Sequence, residues 1–282
     1  MLATAVTGPE AHHGEGPCWS DAWGGLRFVD LTRGDLLTLR DNVLVRLATG
    51  HDFATFVRPR ATGGYVVGTK QGIALADGPD SEAVAAIQLI DDDLARMNDG
   101  STTPDGLLLA GTMARDESTP LGTLDLVDAR LTATRVLDGL TISNGIGFSP
   151  SGETAYYVDT ATSRIDRLDY ENGVLGNRRP FVSIDPELGY PDGLTVDSTG
   201  TVWVALWGGS AVHAYDQRGE LVEVIEVPAR QVSACTFGGD DLATLYITTS
   251  RQGLSPGEDA QAGSLFAARP GAVGLPVTPF AG

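Results

Sequence analysis

The stretch GLTVDSTGTVWVALWGGSAVHAYDQRG, residues 193–219, decides the fold. It reads as a short apolar run, a glycine turn, a second apolar run, a polar loop and a third run. The runs are rich in valine, leucine, threonine and aromatic side chains, which suit a pleated surface, and turn-forming residues bound each of them. The same unit recurs as GIGFSPSGETAYYVDTATSRIDRLDY at 145–170. Shorter matches are GLRFVDLTRGDLLTL, GYVVGTKQGIALAD, GLLLAGTM with GTLDLVD, and TLYITTSRQG. The turn glycines stand at 25, 64, 106, 152 and 200, with a sixth turn near Asp241. Their spacings of 39, 42, 46 and 48 residues leave room for four strands per unit, the size of a propeller blade. Six copies predict an all-β, six-bladed β-propeller occupying residues 1–282 as one domain. A β-sandwich accounts poorly for six equivalent turns at a near-constant period. The segment DSEAVAAIQLI comes nearest to a helical pattern, but its apolar end reads equally well as a strand. Both termini, LATAV and GLPVTPF, have strand character, so the two chain ends are expected to complete one blade and close the ring.

Charge narrows the range of partners. Nineteen basic residues oppose 37 acidic ones, a formal net charge of −18. Such a surface repels phosphate backbones and anionic lipid, which argues against nucleic acid or a membrane. No apolar run reaches the length of a membrane helix, and the start MLATAVTGPEAHHGEG lacks the features of a signal peptide. Two cysteines, Cys18 and Cys235, form no CxxC pair and fit a reducing cytoplasm.

The repeat also separates turns from sites. Pro-Asp-Gly occurs at 104–106 and again at 191–193. In a propeller the first strand of each blade lines the central channel, so the residues that begin these strands gather at one mouth. Counting back eight from the turn glycines selects Phe56, Asn98, Asn144 and Asp192, and matching the other two blades selects Glu15 and Ser233. Asp105 falls in a turn between two strands, whereas Asp192 falls at the channel. Glu15, Asn98, Asn144 and Asp192 make an oxygen-only donor set suited to one hard divalent cation. Calcium leads, with magnesium, manganese or zinc as substitutes. Asn or Asp before a strand ordinarily makes a local turn, but coincidence in four of six blades favours a metal site.

These segments resemble the senescence marker protein / gluconolactonase / luciferin-regenerating enzyme family, which includes regucalcin. The matching stretches are GEGPCW (14–19), ARMNDGSTTPDGLLLAGTM (95–113), ISNGIGFSPSGETAYYVDT (142–160), PDGLTVDSTGTVWVALWGGSAVHAYD (191–216), FGGDDLATLYITTSRQG (237–253) and the AGSLF…PFAG end (262–282). The resemblance implies a six-bladed propeller with one catalytic divalent metal and, as the commonest activity, lactone hydrolysis. It implies Glu15, Asn144 and Asp192 as metal ligands, with Asp192 also as general base, and Arg96 and Asn98 as substrate contacts. Some relatives carry a substrate-holding glutamate shortly after Gly-Thr-Met. In GTMARDESTPLG, counting places Asp116 nearest that position, with Glu117 next.

Lactone hydrolysis needs a polarised carbonyl, an activated water and a stabilised oxyanion. A metal can supply the first and last. Asp192 is the candidate base, and a hydroxide held on the metal stays open as an alternative. Arg96 offers a planar fork to substrate oxygens. Other chemistries on the same platform, such as a different hydrolase or a cyclase, and a non-catalytic calcium-binding propeller are the competing readings. His12 and His13 read as surface residues of a Gly/Pro-rich loop. Trp207, Tyr190 and Phe56 are candidate pocket walls, Trp203 and Tyr157 read as blade packing, and the two cysteines as buried small residues. No GxSxG elbow is present. The polar segments 114–122 and 251–263 are candidate lids.

Overall fold

The computed structural model describes residues 1–282. Its 24 strands form six four-stranded antiparallel sheets, with four single 3-10 turns and no α-helix. Five of the sheets run outward from a central channel in chain order, and the sixth takes its outermost strand from the N-terminus. In the first blade the strands are Gly14–Ser20, Gly25–Asp30, Asp35–Arg40 and Val43–Ala48. Burial falls outward. The two inner strands are almost wholly buried, while Val43–Ala48 is mostly exposed. The inner strands are covered on both faces by neighbouring blades, so their sequences read as near-continuous apolar runs rather than alternating ones.

The hydrophobic core is correspondingly split into wedges between adjacent blades. One wedge joins Trp203, Val212 and Ile225 of the fifth blade to Phe237, Leu245 and Ile247 of the sixth. Another sets Val29 and Leu36 of the first blade against Tyr65 and Val67 of the second. Four further wedges complete the circuit. Trp203 and Tyr157 belong to these wedges. The segment 80–90 contributes the outer strand Val84–Gln88, not a helix.

Ring closure departs from expectation in one respect. The sixth blade takes Val232–Gly238, Thr244–Thr249 and Phe266–Ala268 from the C-terminal part of the chain, and its outermost strand is Thr4–Ala5, pairing Thr4 with Ala267 and Ala5 with Phe266. The terminal segment GLPVTPF joins no blade. It bridges Asp197 to Gly274 and Arg60 to Phe280, and Thr102 Oγ1 donates to Thr278 O at 2.6 Å. Two prolines within it cannot donate to a ladder, so it lies across the channel end instead, with Phe280 fully buried. No helix is long and apolar enough to cross a membrane.

The six innermost strands are Gly14–Ser20, Val57–Pro59, Ala95–Thr102, Ser143–Phe148, Tyr190–Val196 and Val232–Gly238. Five of them carry a register shift near their start. In the third, fourth and fifth blades two residues, Asn98–Asp99, Asn144–Gly145 and Asp192–Gly193, oppose one partner residue. In the first blade the shift follows Glu15, and in the sixth it falls at Ser233. A β-bulge breaks the strict alternation of side chains and re-aims one of them. This is the device that turns a polar side chain into the channel from a strand whose neighbours are core.

Candidate active site at the channel mouth

Asn98, Asn144 and Asp192 from three of these bulges, with Glu15, meet in a cavity of about 80 Å³ lined also by His13, Arg96, Met113, Glu117, Ile142, Thr160, Trp207 and Gln252. Four of the residues selected by the repeat, Glu15, Asn98, Asn144 and Asp192, are thus brought together, and all four are buried. Phe56 is not with them. Its ring is fully buried between the second and third blades, over Gly68 and Gly100. Tyr190 is exposed and does not line the cavity, while Trp207 does. Ser233 donates to Gly14 O at 2.6 Å and ties the sixth blade to the first.

The loops that deliver these residues are held by two buried carboxylates that sequence reasoning passed over. Asp30 ends the second strand of the first blade and accepts from the backbone N–H groups of His12 and His13, both at 3.0 Å. Asp159 ends the second strand of the fourth blade and accepts from Thr141 and Ile142 at 3.2 and 3.0 Å. Each is followed by a 3-10 turn. The signal was present in the repeat, where FVD and YVD occupy equivalent places.

The polar side chains are tightly oriented. Asn144 Nδ2 donates to Thr160 Oγ1 at 3.0 Å, and Thr160 Oγ1 donates to Pro191 O at 2.9 Å. That chain links the fourth blade to the strand carrying Asp192 and leaves the Asn144 amide oxygen on the opposite side of its amide. Asn98 accepts from Arg96 Nη1 at 2.8 Å and donates to Ser143 O at 2.9 Å. Glu15 accepts from the N–H of Gly16 at 2.8 Å. Asp192 Oδ1 is buried and has no hydrogen-bond partner.

Electrostatics follows from this crowding. Burial, then the neighbouring carboxylates of Glu15 and Asp99, raises the Asp192 carboxyl well above the usual range. Glu15 is raised for the same reasons, burial first and then Asp99. Two adjacent buried carboxylates, one of them with a partnerless oxygen, are costly without a compensating cation. No group of three or more His, Cys, Asp and Glu side chains in the molecule is arranged to hold a metal. A cation here would draw on Glu15, Asp192 and the Asn144 amide, an all-oxygen set that fits a hard divalent ion.

Two expectations are corrected. His13 is buried, not a surface residue. Its Nδ1 lies 2.6 Å from Ser250 Oγ and its ring meets Trp207 edge-on at 5.7 Å. Burial, with Arg96 nearby, lowers its pKa to about 3, so the imidazole is neutral. His12 stays outside, against Thr32. Asp116 does not line the cavity either. Its carboxylate accepts from the Thr119 hydroxyl and from the N–H groups of Thr119 and Ser118 in its own exposed loop, which hold it down to about 2. The acid facing the cavity is Glu117, at φ 58°, which accepts from Gln252 Nε2 at 3.2 Å. The loops 114–122 and 251–263 therefore meet over the site. Cys18 and Cys235 are buried and free, and burial raises both thiols, Cys18 to about 11. Neither lines this cavity.

With this geometry in hand, the comparison with known proteins is direct. The model of the SMP-30/Gluconolactonase/LRE-like region matches residues 13–251. The chain belongs to this family. The match runs from His13 through Arg251, so it takes in every cavity residue named above except Gln252, while the closing strand and the terminal crossing segment lie outside it. Regucalcin of Sus scrofa is 32% identical over 290 residues, covering 96% of this chain and 95% of its own. A putative sugar lactone lactonase of Bacillus subtilis, YvrE, is 32% identical over 277 residues, 95% of both chains. The crystal structure of regucalcin from Agrobacterium tumefaciens, a calcium-binding protein, matches with a TM-score of 0.92 at 26% identity, covering 99% of this chain and 97% of the other. The SMP-30/gluconolactonase propeller is thus reproduced over nearly the whole molecule.

Proposed function

We propose that this chain is a divalent-metal-dependent lactonase that opens a small hydroxylated lactone to its hydroxy acid. The observation that carries the reading is the buried, partnerless Asp192 Oδ1 beside Glu15 and Asn144 in a cavity that also holds Arg96. Family membership and the likeness to a protein described as a putative sugar lactone lactonase support it. Calcium is the preferred ion, because the donors are all oxygen and the Agrobacterium relative binds calcium. When bound, the cation supplies a Lewis acid for the ester carbonyl and a counter-charge for the oxyanion. Glu15, Asn144 and Asp192 hold it.

The remaining work falls to the side chains. Asp192 accepts a proton from the attacking water as its oxygen bonds to the carbonyl carbon, and the ring C–O bond breaks as the oxyanion collapses back to a carbonyl. The ring oxygen leaves as an alcohol with that proton, and the new carboxylic acid ionises, so each turnover releases acid. Arg96 and Asn98, already joined at 2.8 Å, present a fixed edge to substrate oxygens. Glu117 takes the role that counting assigned to Asp116 and receives substrate hydroxyls. Neutral His13 and Trp207 form an ordered wall. The two free thiols fit a reducing, cytoplasmic setting.

The test is a pH-indicator assay over aldono- and alkyl-lactones, with and without EDTA. Acid release that EDTA abolishes and calcium restores is the expected outcome. Silence across the panel in protein carrying stoichiometric metal points to another hydrolase, a cyclase or a non-catalytic binder. Asp192→Asn is expected to lower kcat by about 100-fold or more, and wild-type turnover in that variant removes the base assignment.

A further inference from the structure

The innermost strands all run from the mouth just described toward the opposite end of the channel, where a second and larger cavity of about 370 Å³ opens. Residues from every blade line it, and the crossing segment Leu275–Thr278 forms part of its wall. None of its 22 lining residues is Asp or Glu, in a chain with 37 of them. One is a cation. Arg58, only 9% exposed, stands in the innermost strand of the second blade. Its Nη1 donates to Val57 O at 2.7 Å and Gly16 O at 3.2 Å. Its Nε and Nη2 find no acceptor within hydrogen-bond reach, and Asp99 Oδ1 lies 3.9 Å from Nη2, already accepting from Gly100 N–H at 2.7 Å.

Beyond that long ion pair with Asp99, the Nε/Nη2 edge makes no hydrogen bond within the protein and stays open to the cavity. That edge is also the one whose two parallel N–H bonds match a carboxylate. The hydroxyl-bearing residues Ser101, Thr195 and Thr236 line the same space, beside an apolar wall of Ile146, Leu194 and Val277. We propose that this second channel mouth binds a small hydroxylated carboxylate. Arg58 takes the carboxylate edge-on, and the hydroxyls of Ser101, Thr195 and Thr236 take the polyol. The size fits an ordinary small-molecule site. The site shares no lining residue with the lactonase site, and the proposal stands independently of that reading.

The test is calorimetric titration of the calcium-loaded protein with gluconate and with the neutral polyol sorbitol. Gluconate is expected to bind at least tenfold more tightly than sorbitol. Arg58→Gln is expected to weaken gluconate at least tenfold, and the near-isosteric Thr195→Val several-fold, while Asp192→Asn leaves the Arg58-dependent binding within twofold. Equal binding of gluconate and sorbitol overturns the proposal. So does gluconate binding that survives both Arg58→Gln and Thr195→Val but disappears in Asp192→Asn. Circular dichroism checks folding, and if Arg58→Gln does not fold, the sorbitol contrast and Thr195→Val decide. Failure of the lactonase reading shows separately, as absent acid release, and leaves this titration unaffected.

Discussion

Side chains one position apart meet opposite fates at the loop after Met113. Asp116 spends both oxygens on its own loop, with Thr119 Oγ1 also donating to it at 2.5 Å. Glu117, in the left-handed region, turns into the cavity. Glu117→Gln is accordingly expected to raise KM severalfold for a hydroxylated lactone, with Asp116→Asn changing it less than twofold. Initial-rate kinetics on both variants decides. His13 makes a second prediction at this scale. Its folded pKa, about 3, lies below the ordinary 6.5, so the unfolded state binds the extra proton between these values. Stability from His13 is therefore complete above about pH 6.5 and is lost as pH falls, by about 2 kcal/mol at pH 5. Denaturant melts at pH 7 and pH 5 in saturating calcium should show this loss in the wild type and less of it in His13→Gln. Neither placement was legible in the string: Gly-Pro-rich flanks made His13 look like a loop residue, and one step of φ chose between two adjacent acids.

At the scale of the element, the bulge is what lets a core strand present a polar side chain to the channel. Its glycines are required by contact more than by conformation. A Cβ on Gly193 would stand 2.4 Å from Ala234 Cβ, and one on Gly145 would stand 2.5 Å from Asp192 O. Gly193→Ala must therefore push the fifth blade's inner strand away from the sixth. The expected result is destabilisation of about 1–3 kcal/mol, with calcium affinity weakened at least tenfold as the ligands spread. Thermal melts and calorimetry read the two effects separately. The repeat disclosed the equivalent positions Asn98, Asn144 and Asp192, because the count to the turn glycine is the same in each blade. It could not disclose that GLPVTPF leaves the sheet, since alternation alone does not say whether a neighbouring edge is free. The two-residue strand Thr4–Ala5 had already taken that edge.

For the whole molecule, ion binding and folding are linked. In the metal-free protein Glu15 and Asp192 have folded pKa values above their unfolded ones, through burial and then neighbouring carboxylates, Asp99 for Glu15 and both Glu15 and Asp99 for Asp192. The folded state then binds more protons than the unfolded state, so stability falls as pH rises above the ordinary carboxylate range of about 4 to 4.5. A divalent cation held by Glu15 and Asp192, as proposed, would replace those protons, and its stabilisation should grow with pH. Melting curves at pH 5 and pH 8, each with EDTA and with calcium, should show a larger calcium-induced rise in Tm at pH 8. An equal or smaller rise would mean that the two carboxylates do not hold the ion. The formal charge of −18 adds a general cost to ionising these two buried acids, which calcium also relieves.

Periodicity along the chain was enough to determine six blades, the strand that leads each one and which polar residues begin those strands, because every strand is a local object with its own turn. Contacts between distant segments decided the rest: Asp30 and Asp159 clamping the delivery loops, His13 against Trp207, Glu117 in place of Asp116, and Arg58 at the far mouth. Those outcomes depend on which surfaces meet when the ring closes, and closure joins residues that the sequence leaves more than two hundred positions apart, such as His13 and Ser250.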